Sequence, residues 1–375
     1  MIVLCIKQII EQIQEFNKRE VVNRITIKSQ APAYFPTVFI CNLNFLSTSY
    51  GADFAQMIIK NYTATASTNE NAKNFLKNPN VQRGIVLANL NLLNDNEKRK
   101  MGVFGQNFVK SNISCIYDGD LCDFNDFDWF FDSFFGNCLR FNANHTKTLT
   151  QSGSKNGLSM EIYIGDGDEN VEFTRTRGLH LFVTNSSTNT KDALSIDIPT
   201  GMSTNIALDY SLTYRMVKPY STCNPSEGYS QSICKQYCYQ QFVINKCSCY
   251  DSRALRSNEQ IQLITNGCVH LNELVCLVNA SIKFADSKEK KSCDTECPYQ
   301  CNSIQFEYML SMSDFPAESY ANYLINSSLA NSLFENKTMT YQTLKKSSAA
   351  FDLFYNELEY TEIYEGFYFI AILIG

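Results

Sequence analysis

Histidine and tryptophan are scarce in this 375-residue chain, which contains three histidines and one tryptophan. A metal centre built on imidazole has little material here, so we expect His145, His180 and His270 to be surface or hydrogen-bonded residues. Catalytic motifs are missing as well: the sequence has no G-x-S-x-G, no H-E-x-x-H, no P-loop and no G-x-G-x-x-G. These absences argue against an enzyme, and we assign no catalytic residue, no metal ligand and no cofactor.

The chain also lacks an excess of basic residues. It has 32 Lys and Arg against 38 Asp and Glu, which gives a formal net charge of −6. A nucleic-acid-binding surface needs a basic face, so this composition argues against nucleic acid as a partner. Apolar residues make up 44% of the chain and charged residues 19%. That is enough apolar material for the cores of two or three domains, or of one large multi-lobed domain.

Long apolar runs are missing too. Residues 1–10 and 366–375 are mostly apolar, but each run has only about half of the roughly 20 residues that a membrane helix needs. The first run lacks the charged start and the cleavage site of a signal peptide. Two interpretations remain open: the runs are parts of two membrane helices, or they are a buried N-terminal helix and a C-terminal core strand.

Cysteine, in contrast, is abundant. Fourteen of the 15 cysteines lie between Cys41 and Cys301, a density that is typical of proteins folded in an oxidising compartment. Zinc ligation is the alternative, but seven N-x-[ST] sequons in the same chain favour disulfides. The sequon asparagines are Asn61, Asn112, Asn144, Asn185, Asn279, Asn326 and Asn336. We therefore predict that most of the chain is extracellular and glycosylated.

The apolar patterns predict an α+β fold. Residues 50–110 are rich in helix formers, and residues 229–247 have the pattern of a single helix. Residues 158–215 alternate apolar and polar side chains, which predicts several antiparallel strands. Further strands are expected at 304–312 and 349–364, with a helix between them around 316–335. Strands from distant parts of the chain would then share one sheet.

Two acidic segments are candidates for function. Residues 118–135 alternate aspartates with aromatic residues, and we expect a short helix with its aromatic side chains on one face. Asp166, Asp168 and Glu169 form a carboxylate cluster, but the glycine at position 6 and the glutamate at position 12 of an EF-hand loop are absent. The cluster is either an ordinary turn or a ligand- or proton-sensing site, because clustered carboxylates repel one another when ionised.

The spacing of the cysteines indicates how some of them could pair. Cys234 and Cys238 are four residues apart, so they would share one face of a helix. Cys293, Cys297 and Cys301 have the same spacing and could provide the segment that bonds to this face. Spacing alone does not fix the connectivity.

Four motifs in order along the chain resemble those of one family, the epithelial sodium channel, degenerin and acid-sensing ion channel superfamily. They are FPTVFICNLN at 35–44, the C-x6-C segment ending in G-x-C-x-x-FN at 115–142, the P-Y-x-x-C segment with its following cysteines at 218–250, and CP-x-x-C with the strand and FP element after it at 293–317. A strand-like segment at 349–364 extends the resemblance. No single motif is specific, but the ordered set is.

The resemblance implies seven disulfides and leaves Cys5 unpaired in the apolar N-terminal run. The implied pairs are Cys41–Cys138, Cys115–Cys122, Cys223–Cys301, Cys234–Cys297, Cys238–Cys293, Cys247–Cys276 and Cys249–Cys268. All 14 cysteines from Cys41 to Cys301 are used, which is a parity check that the resemblance could have failed.

The resemblance also implies a hand-like extracellular α+β domain between partial membrane helices. The implied divisions are the outer part of a first membrane helix and its linker at 1–24, a palm strand at 25–45, a finger at 46–112, the finger end with a β-ball and palm strands at 113–217, a cysteine-rich thumb at 218–302, palm strands with a knuckle helix at 303–364, and the start of a second membrane helix at 365–375.

In function, the resemblance implies a subunit of a ligand- or stimulus-gated, sodium-selective, amiloride-sensitive cation channel of the plasma membrane. Such a subunit assembles with related subunits as a homo- or heterotrimer in membrane lipid, and sodium is its permeant ion. Pro219 and Tyr220 match the family's joint between palm and thumb, or alternatively form a strand-ending turn. Glu365 falls at the outer pore mouth and Gly375 on the first glycine of the selectivity filter.

The chain departs from the family at both ends, because the filter and the rest of the pore are not in the sequence. We therefore expect the 375 residues by themselves to carry no sodium current. The alternative function is a non-conducting, secreted or tethered binding module derived from such a channel.

Overall fold

The structure is a computed structural model, and it describes residues 21–66, 70–106, 111–165, 176–186, 190–254, 266–327 and 338–367, together with residues 6, 7 and 10. The strands are β1 (Val21–Ser29), β2 (Ala33–Tyr34), β3 (Thr37–Asn42), β4 (Asn112–Tyr117), β5 (Asp120–Leu121), β6 (Phe127–Asp132), β7 (Gly136–Phe141), β8 (Thr148–Leu149), β9 (Leu158–Tyr163), β10 (Gly178–Thr184), β11 (Leu194–Pro199), β12 (Met202–Tyr214), β13 (Asn302–Asp314), β14 (Ser348–Tyr355) and β15 (Glu359–Phe367).

The helices complete the mixed α+β architecture. They are α1 (Ser49–Thr65), α2 (Glu70–Leu76), α3 (Pro79–Asn91), α4 (Asp95–Lys100), α5 (Val103–Gln106), α6 (Gln231–Cys247), α7 (Leu271–Ala285), α8 (Lys288–Glu296), α9 (Glu318–Asn326) and α10 (Tyr341–Ser347). No helix within the described ranges is both long enough and apolar enough to cross a membrane.

Within the described residues, eight strands form a large sheet in the order β1-β15-β12-β14-β9-β4-β5, with β13 paired to β12. Strand β12 is the hub of this sheet, since it pairs antiparallel with β13 and parallel with both β14 and β15. Strands β1 and β15 pair antiparallel from Val21–Phe367 to Ser29–Glu359. The first and last strands of the described residues therefore lie side by side.

A second sheet, the small sheet, has the described strands β11-β10-β3-β7-β6 and is antiparallel throughout. Strand β10 is buried along its whole length, so the alternation of buried and exposed residues expected across 158–215 does not hold there, because both of its faces are covered. In β9 the buried residues Leu158, Met160 and Ile162 alternate with partly exposed ones. These residues share one core cluster with Leu179 and Leu181 of β10, so the two sheets pack on each other.

Eight of the described helices form two groups. The N-terminal helical unit comprises α1–α5 (residues 49–106), and the cysteine-rich unit comprises α6–α8 within residues 215–301. Helix α6 begins where the Ser230 hydroxyl accepts a hydrogen bond from the Ile233 N–H, and it ends at Ser248 in a left-handed conformation (φ 58°).

The two helical units share a hydrophobic core. Ile85 and Ala88 of α3 belong to the same buried cluster as Val243 of α6 and Leu274 and Leu277 of α7. Tyr62 of α1 packs against this cluster, and its hydroxyl donates a hydrogen bond to the Val269 carbonyl oxygen just before α7. Burial of apolar surface from both units ties them together, so we expect them to move as one body.

Seven disulfides join the described residues, and they are the same pairs that the family resemblance implies. Cys234–Cys297 and Cys238–Cys293 fasten α8 to one face of α6, as the four-residue spacing on both segments allows. Cys223–Cys301 closes the base of the cysteine-rich unit, next to the start of β13.

The short helix expected across residues 118–135 is wrong. The helical part is a single 3-10 turn at Phe124–Asp126, where the Asp123 carboxylate accepts a hydrogen bond from the Asn125 N–H. The following aromatic residues form strand β6, which pairs with β7. Pairing satisfies the backbone there, and the aromatic side chains fill both faces of the strand rather than one face of a helix.

The predicted membrane helices mostly lie outside the described residues, as do Gly375 and the carboxylate cluster of Asp166, Asp168 and Glu169. Residues 6, 7 and 10, within the first predicted helix, are helical, and the other boundary that can be compared lies in β15. Strand β15 continues through Glu365 to Phe367, whereas the resemblance starts the second membrane helix at 365.

Removing the Cys238–Cys293 bridge tests how strongly the cysteine-rich unit depends on its covalent links. This bridge closes a 55-residue separation, so the double variant C238S/C293S should lose about 2–4 kcal/mol of unfolding free energy in chemical denaturation. The matched control is C115S/C122S, whose bridge closes a separation of only 7 residues and should cost less. Equal losses in the two variants, or no loss in the first, would contradict this account.

Candidate functional site

The candidate site is the junction where the cysteine-rich unit joins the large sheet beside the two terminal strands. The chain enters the unit after β12 and returns from it into β13, and Tyr214 is the register partner of Asn302 at this point. The Arg215 N–H donates to the Cys301 carbonyl oxygen at 2.7 Å, and the Arg215 guanidinium donates to the Gln300 carbonyl oxygen at 3.0 Å. The unit is therefore attached through a two-stranded stem.

A second set of bonds closes the stem just above this point. The Cys223–Cys301 disulfide lies beside a short parallel bridge between Asn224 and Gln300. The Asn224 N–H donates to the Tyr299 carbonyl oxygen at 2.8 Å, and the Cys301 N–H donates to the Asn224 carbonyl oxygen at 3.0 Å. The base of the unit is thus held by covalent and backbone bonds together.

Glu365 connects this stem to the C-terminal strand. Its Oε2 accepts a hydrogen bond at 3.0 Å from the backbone N–H of Met216, two residues beyond the end of β12. Strand β15 runs parallel to β12, so its last residues meet the stem where the chain leaves the sheet. A hydrogen bond to an ionised carboxylate is stronger than one between neutral groups. The stem and β15 are therefore joined by a side-chain contact as well as by strand pairing.

Stacked tyrosines hold β12 and β15 together next to this contact. The rings of Tyr214 and Tyr364 lie 4.6 Å apart at an interplanar angle of 10°, and those of Tyr210 and Tyr360 lie 5.0 Å apart at 8°. The parallel register places Tyr214 opposite Tyr364, and residues four apart in a strand share a face. The stacking therefore follows from the register.

Glu362 lies between the two stacks and is almost fully buried, with 4% exposure. Its carboxylate forms an ion pair with Lys28 of β1 at 2.6 Å and accepts hydrogen bonds from the Tyr364 hydroxyl at 2.8 Å and the Tyr360 hydroxyl at 3.2 Å. The hydrogen bond from Lys28 lowers the pKa of Glu362 below its usual value, and Glu362 raises the pKa of Lys28 in turn. One carboxylate thus joins β1 to β15.

Pro219 and Tyr220, the predicted joint, lie in the same stretch of chain. The Tyr220 N–H donates to the Val217 carbonyl oxygen at 3.2 Å, which makes a turn immediately after the Met216–Glu365 contact. The structure therefore brings the predicted joint and Glu365 to one junction. Among the described residues, no group of three or more His, Cys, Asp or Glu side chains could hold a metal ion.

Of the predicted glycosylation positions, Asn336 lies outside the described residues. Asn112 is partly buried in β4, and its Oδ1 has no hydrogen-bond partner among the described residues. The other asparagines are exposed at the surface: Asn61, Asn144, Asn185, Asn279 and Asn326.

Sequence reasoning missed Lys28, Met216 and Glu362. A signal was present in β15, where tyrosine, glutamate and tyrosine occupy alternate positions 360, 362 and 364 and therefore share one face. The pattern resembles an ordinary solvent-exposed strand face, and only the pairing with β1 and β12 shows that Glu362 is buried there.

A family profile described as amiloride-sensitive sodium channel matches residues 1–369. The epithelial sodium channel subunit gamma of Rattus norvegicus is 24% identical over 233 residues, which cover 57% of this chain and 35% of that protein. The gamma subunit of Neoceratodus forsteri is 26% identical over 289 residues, and its beta subunit 24% over 296 residues; each alignment covers 72% of this chain and 42% of the relative. The chain thus spans between about a third and about two fifths of the length of these relatives.

Replacing Glu362 by Gln should lower the melting temperature at neutral pH, because Lys28 loses its ion pair. The native pKa of Glu362 is depressed, so its contribution is complete above the ordinary carboxyl range and is lost as pH falls through the native pKa. The difference in melting temperature between wild type and E362Q should stay constant from about pH 5.5 to about pH 8 and close in stronger acid. Glu357, which is exposed in the turn before β15, provides the control variant E357Q. A difference that widens in acid would contradict the assignment.

Proposed function

The chain belongs to the amiloride-sensitive sodium channel family, and from this premise we propose that it is the extracellular sensing and coupling part of a sodium channel subunit. The channel would be gated by a ligand or another stimulus, selective for sodium and sensitive to amiloride. The subunit would lie in the plasma membrane with most of this chain outside the cell.

The observation that carries the proposal is the pairing of β1 with β15. Val21 and Phe367, the outermost register partners, are adjacent, so any segments before and after them leave the large sheet at one place. In a channel subunit with two membrane helices, both helices would attach there. A change in the position of β15 relative to β12 would therefore act on both helices together.

In the terms of the family, the large sheet corresponds to the palm, the N-terminal helical unit to the finger and the cysteine-rich unit to the thumb. The finger and thumb share a core, so a stimulus that acts on either one would move both. The two-stranded stem at Arg215 and Asn302 would be the hinge, and the Glu365–Met216 contact would convert hinge movement into displacement of β15. The carboxylates Asp166, Asp168 and Glu169 remain candidates for sensing the stimulus.

Assembly into a homo- or heterotrimer with related subunits is part of the proposal. Two isoleucines of β1, Ile25 and Ile27, are 66% and 67% exposed and point to the same face of the large sheet. Exposed apolar side chains grouped in this way are typical of a surface that another protein covers. The curated relatives include both gamma and beta subunits, which supports related subunits as partners.

A chimera tests the proposal. Residues 21–367 would replace the extracellular part of a relative that conducts, with its membrane helices kept, and the unmodified relative would serve as the control. We expect trimers at the cell surface and an amiloride-sensitive sodium current in response to protons, peptides or membrane force. A folded chimera that reaches the surface but gives no current with any of these stimuli would contradict the proposal and support the non-conducting binding module.

A further inference from the structure

A cleft of about 710 Å³ separates the cysteine-rich unit from the two sheets; we call it the base cleft. Its first wall is the segment before and at the start of α6, and its second wall is the start of β13. Its third wall is formed by residues 184–186 and 192–194, at the end of β10 and the start of β11. The volume lies within the range of sites that bind small molecules. Whatever fills the base cleft would contact the cysteine-rich unit and both sheets at once.

The lining of the base cleft is rich in hydrogen-bonding groups. Gln300, Asn302 and Gln305 are among its lining residues, and each carries a side-chain amide. Two aromatic residues, Tyr229 and Phe306, also belong to the lining. Amides both donate and accept hydrogen bonds, so this lining matches a ligand that carries many hydroxyl and amide groups.

A sequon asparagine lies on the rim of the base cleft. Asn185 follows the last residue of β10, is exposed and belongs to the lining. The chain turns there because the Ser186 N–H donates to the Thr184 hydroxyl oxygen at 3.1 Å. The side chain of Asn185 is thus accessible to a modifying enzyme and also adjacent to the space behind it.

We propose that Asn185 carries an N-linked glycan and that the first sugars of this glycan occupy the base cleft. A lipid-linked oligosaccharide of the secretory pathway supplies the sugar: a bond forms between Nδ2 of Asn185 and C1 of the first sugar, Nδ2 loses one proton, and the lipid pyrophosphate leaves. Asn144, another exposed sequon asparagine, borders a pocket of only about 60 Å³, which is too small for a sugar. Of these two asparagines, only Asn185 therefore lies beside a cavity large enough to hold a sugar.

The consequence of this glycan is mechanical. One protein contact already crosses the base cleft, since the Ser230 hydroxyl at the start of α6 donates a hydrogen bond to the Asp192 carboxylate before β11. Sugars bonded to the amides of β13 and lying against α6 add a second link, covalently anchored after β10. The glycan would restrict movement of the cysteine-rich unit relative to the sheets, independently of any channel activity.

The test uses the full 375-residue chain produced in glycosylating cells, with N185Q, S187A and the control N279Q. S187A removes the sequon but keeps the asparagine, and Asn279 is an exposed sequon asparagine on α7 of the same unit. We expect Asn185 to be occupied and its glycan to be released by an endoglycosidase roughly tenfold more slowly than that of Asn279 in the folded protein, with equal rates after unfolding. Amide exchange at residues 228–233 and 300–307 should rise roughly tenfold in both N185Q and S187A, but not in N279Q.

Removal of the Asn185 glycan after folding gives the same comparison if either variant fails to fold. The proposal is overturned if Asn185 is unoccupied, if its glycan is released as fast as that of Asn279, or if glycan removal leaves exchange in the two segments unchanged. A change in N185Q without one in S187A would also overturn it, since the asparagine side chain and not the sugar would then be responsible.

Discussion

The pairing of β12 with three other strands is the constraint on which the rest of the structure depends. Strand β12 pairs with β13 along its whole length, with β14 at its first half and with β15 at its end. The chain enters the cysteine-rich unit from β12 and returns from it into β13, so the unit is attached at the centre of the large sheet. The parallel register with β15 then brings Tyr364 onto Tyr214 and Glu365 to Met216. A shift of one residue would turn every side chain of β15 to the other face and break all these contacts.

The helical units attached through β12 are held more firmly than the stem that joins them to the large sheet. The cysteine-rich unit is closed by its disulfides and shares a buried core with the N-terminal helical unit, so neither is expected to deform easily. The stem, in contrast, consists of only two strands. Besides strand pairing, the Met216–Glu365 hydrogen bond and the Tyr214–Tyr364 stack connect it to β15. Proteins commonly bend where a few contacts join two well-packed bodies. The junction is therefore where a movement of the helical units would be converted into a movement of β1 and β15.

Part of this could be predicted from the sequence. The helix at α6 follows from the spacing of Cys234 and Cys238 within a helical pattern, and the alternation in β9 and β11 follows from one buried face. The aromatic segment before β7 was beyond local reasoning, because pairing with β7 overrides its helical pattern. Glu362 was also out of reach: a glutamate in a strand usually indicates solvent, and its burial requires β1, β12 and β15, which come from three distant stretches. The base cleft likewise exists only once three separated segments have met.

The most direct test of the central claim is the response of a conducting chimera to loss of the Glu365 contact. E365A removes the acceptor for the Met216 N–H, which for a partly exposed charged hydrogen bond is worth about 1–2 kcal/mol, or roughly a five- to thirtyfold change in the gating equilibrium. The matched control is E359A, at the exposed opposite end of the same strand. The account predicts a shifted stimulus–response curve for E365A with unchanged surface expression, and a wild-type curve for E359A. A wild-type curve for E365A, or equal shifts in both variants, would contradict it.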